Sequence, residues 1–191
     1  MRSNLIVIDD FYNNVDEVRE FALKQNFDVT GNYPGARTKS AVNDATKQAI
    51  AAIIEPHGGK LTNFGDYDGT PLYSGSFQMC TQNARRTWIH ADNYNNWAGI
   101  IYLTPDAPLT GGTEFYRYDR LNEMYSDRQK NEMHGEDSQD WTKWSPHLTV
   151  GNVYNRAIFF RSDMYHASVD YFGRTAQDGR LIQVFFMSTE Y

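Results

Sequence analysis

Thr87-Trp88-Ile89-His90-Ala91-Asp92-Asn93-Tyr94-Asn95-Asn96-Trp97-Ala98-Gly99-Ile100-Ile101-Tyr102 is the stretch on which the reading of this chain turns. His90-Ala91-Asp92 stands just before an apolar run with the character of a strand. Side chains alternate along extended backbone, so His90 and Asp92 point to the same side and can share one metal ion. A distant histidine, His166, follows a second apolar run. Delivered from a neighbouring strand, it completes a set of two imidazoles and one carboxylate. That set suits non-haem Fe(II) and leaves three coordination positions open for a co-substrate and oxygen. Each part also has a plainer reading. A His-x-Asp pair arises often by chance, and a lone His166 is more often a hydrogen-bonded structural histidine. The frame favours the metal: His-x-Asp before one strand, His after another, and Arg180 opening a third, Arg180-Leu181-Ile182-Gln183-Val184-Phe185-Phe186.

These residues, with Ile100-Ile101-Tyr102-Leu103-Thr104, Gly111-Gly112-Thr113-Glu114-Phe115 and Asn155-Arg156-Ala157-Ile158-Phe159-Phe160, give the chain its resemblance to a known family. It is similar to the Fe(II)/2-oxoglutarate-dependent dioxygenases, in the prolyl-hydroxylase-like branch with its bacterial and phage relatives. The resemblance spans residues 77 to 191, and the opening Ile8-Asp9-Asp10-Phe11 looks like relatives with a helical lead-in. It implies a double-stranded β-helix, a jelly roll with its metal between the sheets at the open end. It also implies Fe(II) on His90, Asp92 and His166, with 2-oxoglutarate and O2 as co-substrates and hydroxylation of a C–H bond with release of succinate and CO2. Because Asp92 is present, the related halogenases, which vacate that ligand position, fit poorly.

The far carboxylate of 2-oxoglutarate needs a buried cation, and a guanidinium grips a carboxylate through two parallel hydrogen bonds. Arg180 and Arg174 compete for that place. Arg174 sits in the turn-like Gly173-Arg174-Thr175-Ala176-Gln177-Asp178-Gly179, whereas Arg180 shares a strand face with Ile182, Val184 and Phe186. An arginine on an apolar face needs an anion to meet it, which favours Arg180. Many relatives carry Ser or Thr two residues later; Ile182 here removes one hydrogen bond to the co-substrate. By the same resemblance the Tyr102 hydroxyl meets that far carboxylate, against a plainer reading as a core tyrosine. Tyr165 either lines the substrate side or packs, and Trp97, Phe159 and Phe160 read as core.

At 191 residues one domain is expected, and 15% aromatic with 22% charged residues describes a globular chain. The formal charge of −6 offers no overall field for nucleic acid or an anionic membrane. Arg85-Arg86 is the basic pair near the proposed site and reads first as a solvated turn. Cys80 is the sole cysteine, which excludes an internal disulfide and points to a reducing compartment. The apolar run Leu5 to Ile8 is too short for a signal-peptide core, and no stretch is long enough to span a bilayer. A cytoplasmic protein is expected, acting on a small molecule or peptide.

Along the chain, Leu5-Ile6-Val7-Ile8 reads as a strand. Asn13 or Asn14 caps a helix with apolar Val15, Val18, Phe21 and Ala22, and with Asn14 as cap Glu17 falls at the capping-box position. Residues 28 to 41, with Gly31, Pro34 and Gly35, read as a loop. Asn43 or Asp44 caps a second helix to about Glu55, ended by Pro56 and Gly58-Gly59, with His57 exposed there. Asp66 and Asp68 lack the ligand spacing of a calcium loop, so a turn is expected. Strands follow at roughly 72 to 81, 85 to 90, 97 to 104, 113 to 118, 151 to 161, 165 to 170 and 180 to 188. The expected class is mainly β with flanking helices (α+β): residues 1–71 a helical lead-in and 72–191 the jelly-roll core. Residues 119–148 form a polar insert, helical over Asp119 to Lys130, either a lid or a surface excursion anchored by Trp141 and Trp144. His134 and His147 lie in it without ligand spacing.

Two readings from other classes remain. One is a non-catalytic jelly-roll module that binds a ligand or partner. The other is a cupin-like isomerase or lyase, which needs no anionic co-substrate and leaves Arg180 unexplained.

Overall fold

The computed structural model describes residues 3–67, 70, 71, 73–92, 94–127 and 134–190, and among them are two α-helices, three single-turn 3-10 helices and twelve strands. The strands are β1 (Leu5–Ile8), β2 (Ala36–Ser40), β3 (Lys60–Asn63), β4 (Asp66–Tyr67), β5 (Thr70–Pro71), β6 (Ser76–Cys80), β7 (Trp97–Tyr102), β8 (Thr113–Tyr118), β9 (Trp144–Val150), β10 (Ala157–Arg161), β11 (His166–Ser168) and β12 (Arg180–Glu190). The α-helices are α1 (Val15–Leu23) and α2 (Asp44–Gly58).

The larger sheet is antiparallel and runs β1-β10-β7-β12-β6-β2, with β3 on the far end of β12. The smaller runs β11-β8-β9. Period-2 alternation divides the larger sheet's side chains between two cores. On one face Trp97, Ile101, Phe159, Leu181, Phe185 and Met187 meet Ala22 of α1 and Ile50 and Ile54 of α2. On the other, Ala98, Ile158, Phe160, Ile182 and Val184 meet Phe115 and Val150 of the smaller sheet. Outside the smaller sheet, Tyr116, Tyr118, Trp144, Tyr165 and Ala167 form a third cluster with Ile89. The chain is therefore mainly β, with two antiparallel sheets sharing a core and helices covering the outer face of the larger one.

Several local expectations change. Residues 36–40 form edge strand β2, and 60–63 form β3, so the first 71 residues contribute strands as well as helices. Residues 85–89 are not a strand; only His90 bridges, to His166. Within the polar insert, 119–127 are turns and bridges (Tyr118 to Glu123, Tyr125 to Met164), with no α-helix among the described residues. Its end, residues 144–150, is β9, an edge strand where Pro146 is tolerated beside a bulge in the pairing. Asp68, Gly69, Leu72, Asn93 and Lys130 lie outside the described residues.

The helix ends also differ in detail. The Asn14 side chain donates to Glu17 (2.8 Å) and does not cap the backbone of α1. Asn43 does cap α2, accepting from the Thr46 amide at 2.9 Å. Pro56 lies inside the last turn of α2, and the helix closes at Gly59 with φ of 90°. His57 is half-buried, and its Nδ1 lies 3.1 Å from the Ser3 hydroxyl.

Candidate metal centre and its cavity

His90 and His166 exchange both backbone hydrogen bonds, at 3.0 and 2.8 Å. Residues paired in this way lie directly opposite one another with side chains on the same face. The Asp92 amide donates to the Ser162 carbonyl at 2.7 Å, which fixes the carboxylate's stem next to the segment leading into β11. His90 Nε2 lies 3.9 Å from one Asp92 oxygen and His166 Nε2 3.5 Å from the other. Ligand atoms of all three residues fall within 4.8 Å of one another.

Both rings are fixed in orientation by backbone carbonyls. His90 Nδ1 lies 3.0 Å from the Trp88 carbonyl, and His166 Nδ1 lies 2.9 Å from that of Met164. A carbonyl only accepts, so each Nδ1 carries the proton and each Nε2 presents its lone pair toward Asp92. Burial, with His90 close by, depresses the His166 pKa to about 4 against the opposing pull of Asp92. The imidazole is thus neutral at physiological pH, the form a metal requires.

Arg180, the first residue of β12, is 1% exposed. Its Nε donates to the Gly111 carbonyl (2.9 Å) and its Nη2 to that of Gly112 (3.2 Å). Gly112 is required by close approach: a Cβ there would lie 2.0 Å from the Val150 carbonyl oxygen. No carboxylate pairs with Arg180 among the described residues. Arg174 is exposed, and its backbone amide donates to the Asp178 carboxylate.

His90, Asp92, His166 and Arg180 line one cavity of about 240 Å³, walled also by Ile182, Val184 and Phe186 from the Arg180 face of β12. Tyr102 is not part of that wall. It is fully buried, its ring 5.7 Å from the Arg180 guanidinium carbon, and its hydroxyl pairs with Thr113 at 2.8 Å. Thr113 does line the cavity, so of this hydrogen-bonded pair it is the member exposed to the cavity. Tyr165 packs outside the smaller sheet, 5.0 Å from Trp144 between ring centroids and 2.8 Å from His134 Nε2. His134 thus joins an aromatic anchor, together with Tyr118 at 4.1 Å. No described residue of 119–143 lines the cavity.

Sequence reasoning missed Arg37 and Gln78, which also line it. Arg37 lies in the stretch read as a loop, where Gly and Pro obscure a short polar edge strand. The signal available was period 2 alone: Arg37 and Lys39 against buried Thr38.

A family model described as "Family of unknown function (DUF6445)" matches residues 1–186. No curated protein matches the sequence. Among solved structures, HygX from Streptomyces hygroscopicus, with nickel, 2-oxoglutarate and hygromycin B bound, aligns with a TM-score of 0.60 and 11% identity. The alignment covers 99% of this chain and 84% of HygX. A prolyl hydroxylase from Trichoplax adhaerens, in complex with a hypoxia inducible factor peptide fragment, aligns at 0.57 and 12%, covering 97% and 83%. A Pseudomonas putida prolyl-4-hydroxylase aligns at 0.52 and 15%, covering 98% and 94%. The structural neighbours are thus iron- and 2-oxoglutarate-dependent oxygenases, and at these identities the likeness is one of fold.

Proposed function

Because the chain belongs to the DUF6445 family, its activity is inferred from its site: we propose an Fe(II)- and 2-oxoglutarate-dependent dioxygenase on a jelly-roll scaffold, hydroxylating a C–H bond and releasing succinate and CO2. The observation that carries this reading is the convergence of two Nε2 lone pairs and one carboxylate, with both Nδ1 protons tied to carbonyls. That donor set fits a divalent metal and suits Fe(II). His90 and His166 would bind through Nε2 and Asp92 through its carboxylate. Bound iron with 2-oxoglutarate would supply the electrons that activate O2.

The protein's own residues then hold and orient. Arg180, anchored by the Gly111 and Gly112 carbonyls and lacking a carboxylate partner among the described residues, would take the far carboxylate of 2-oxoglutarate. Thr113, kept in place by the Tyr102 hydroxyl, would add a hydrogen bond there. Ile182, Val184 and Phe186 would keep the wall dry. The Trp88 and Met164 carbonyls would prevent either ring from turning its protonated edge to the metal.

The test is Mn(II) and 2-oxoglutarate binding by wild type and His90→Ala, followed by succinate release with Fe(II) and O2. Wild type should bind both, and His90→Ala neither. Equal binding by the two proteins, or no metal uptake by wild type, would leave a non-catalytic binding module as the better account.

A further inference from the structure

The cavity holds a second arginine whose setting differs from that of Arg180. Arg37 reaches in from edge strand β2. Its Nε donates to Gln78 Oε1 at 2.8 Å, and Gln78 is itself oriented by donating Nε2 to the Pro34 carbonyl at 2.8 Å. The guanidinium carbon lies 3.8 Å from the centroid of the Tyr33 ring and 5.7 Å from that of Phe186. Stacking and the Gln78 contact fix the plane of the group, yet neither uses its Nη edge. Among the described residues no carboxylate pairs with Arg37, and neither Nη nitrogen has an acceptor.

Charge leads to the same place. Among the described residues, the cavity's lining sets two guanidiniums against the single Asp92 carboxylate. A divalent ion and a dicarboxylate, taken together, leave one positive charge unmatched. A fixed, partly desolvated guanidinium with a free donor edge is a recognition element for a planar or tetrahedral oxyanion.

We propose that Arg37, held by Gln78 and Tyr33, binds an anionic group of the substrate, a carboxylate or phosphate, while Arg180 serves the co-substrate. This division of labour rests on the oxygenase reading. The substrate class that follows is an acidic small molecule, or a residue bearing an acidic group, presented to the metal from the β2 side of the cavity. Asn32 and Tyr94, also on the wall, supply polar and aromatic contacts to the remainder.

The experiment uses the full chain loaded with Zn(II), which supports no oxygen chemistry, with and without 2-oxoglutarate. Propionate, inorganic phosphate and the neutral isostere propionamide are titrated by ligand-observed NMR against wild type, Arg37→Gln and Arg37→Lys, with melting curves to establish folding. Propionate or phosphate should bind wild type at least tenfold more tightly than propionamide does, and whichever binds identifies the oxyanion. Arg37→Gln should lose that preference while its 2-oxoglutarate affinity stays within about threefold of wild type, and Arg37→Lys should recover part of it. The proposal is overturned if propionamide binds as well as propionate and phosphate, if Arg37→Gln leaves anion binding unchanged, or if Arg37→Gln weakens 2-oxoglutarate as much as the anion probes. Failure of wild type to bind 2-oxoglutarate is a separate result: it removes the oxygenase reading, while the titrations without 2-oxoglutarate still show whether Arg37 is an anion site.

Discussion

His90 and His166, 76 positions apart in sequence, form one hydrogen-bonded backbone pair, with ring centroids 4.5 Å apart. The arrangement of these two proposed metal ligands is thereby set by sheet pairing. Asp92 is the adjustable member, because its carboxylate lies at 3.5 and 3.9 Å from the two rings. Asp92→Asn keeps the shape and removes the charge. Mn(II) affinity should fall at least about 100-fold, since loss of a ligand exceeds the 10- to 100-fold cost of losing an outer partner. Calorimetric titration checks this, with melting curves expected near wild type.

Arg180→Met should separate stability from co-substrate binding. Gly111 keeps a second donor in Asn152 Nδ2 at 3.1 Å, so the orphaned acceptor is mainly the Gly112 carbonyl. Denaturant titration should show a loss of about 1–3 kcal/mol. Affinity for 2-oxoglutarate should drop at least about 100-fold while Mn(II) binding holds, because a buried charge-assisted pair is removed. Equal 2-oxoglutarate binding by variant and wild type would revive the isomerase or lyase reading.

Stability of the metal-free protein should depend on acid through His166. Its folded pKa is about 4 against an ordinary 6.5. Between those values the unfolded chain binds a proton that the folded chain refuses, so stability is lost as pH falls from about 6.5 to about 4. The contribution is at most about 3 kcal/mol. In His166→Asn the difference from wild type should shrink steadily across that window, as read by urea unfolding at several pH values.

Asn155 should prove to be scaffold alone. It adopts φ of 64°, and its side chain bonds the Tyr12 amide (2.9 Å) and carbonyl (2.8 Å), tying the lead-in to the sheet. Asn155→Ala should cost about 2–3 kcal/mol through the left-handed backbone and two lost hydrogen bonds. Mn(II) affinity should stay within twofold. A larger metal defect would mean that the lead-in positions the ligands.

The triad and the inner face of β12 were legible because alternation along extended chain is local. His90 with Asp92, and Arg180 with Ile182, Val184 and Phe186, follow from period 2 alone. Arg37 was not legible, since Ala36–Ser40 is a polar edge strand whose partner, β6, begins 36 residues later. Residues 144–150 hid as a strand because Pro146 breaks the usual signal, and their pairing with β8 crosses the insert. Tyr102 lies on the inner face but stops short of the cavity, a matter of depth along β7 that no periodicity contains.

The two-sided use of β12 limits how this chain can vary in length. Arg180, Ile182, Val184 and Phe186 face the cavity, whereas Leu181, Phe185 and Met187 face the helices, and Gln183 bonds the Tyr12 hydroxyl and the Gly75 carbonyl. One residue gained or lost between 180 and 187 would invert every later side chain and send Phe185 or Phe186 into the wrong compartment. Insertions and deletions among relatives should therefore collect in the connections, such as 119–143, and spare this strand altogether.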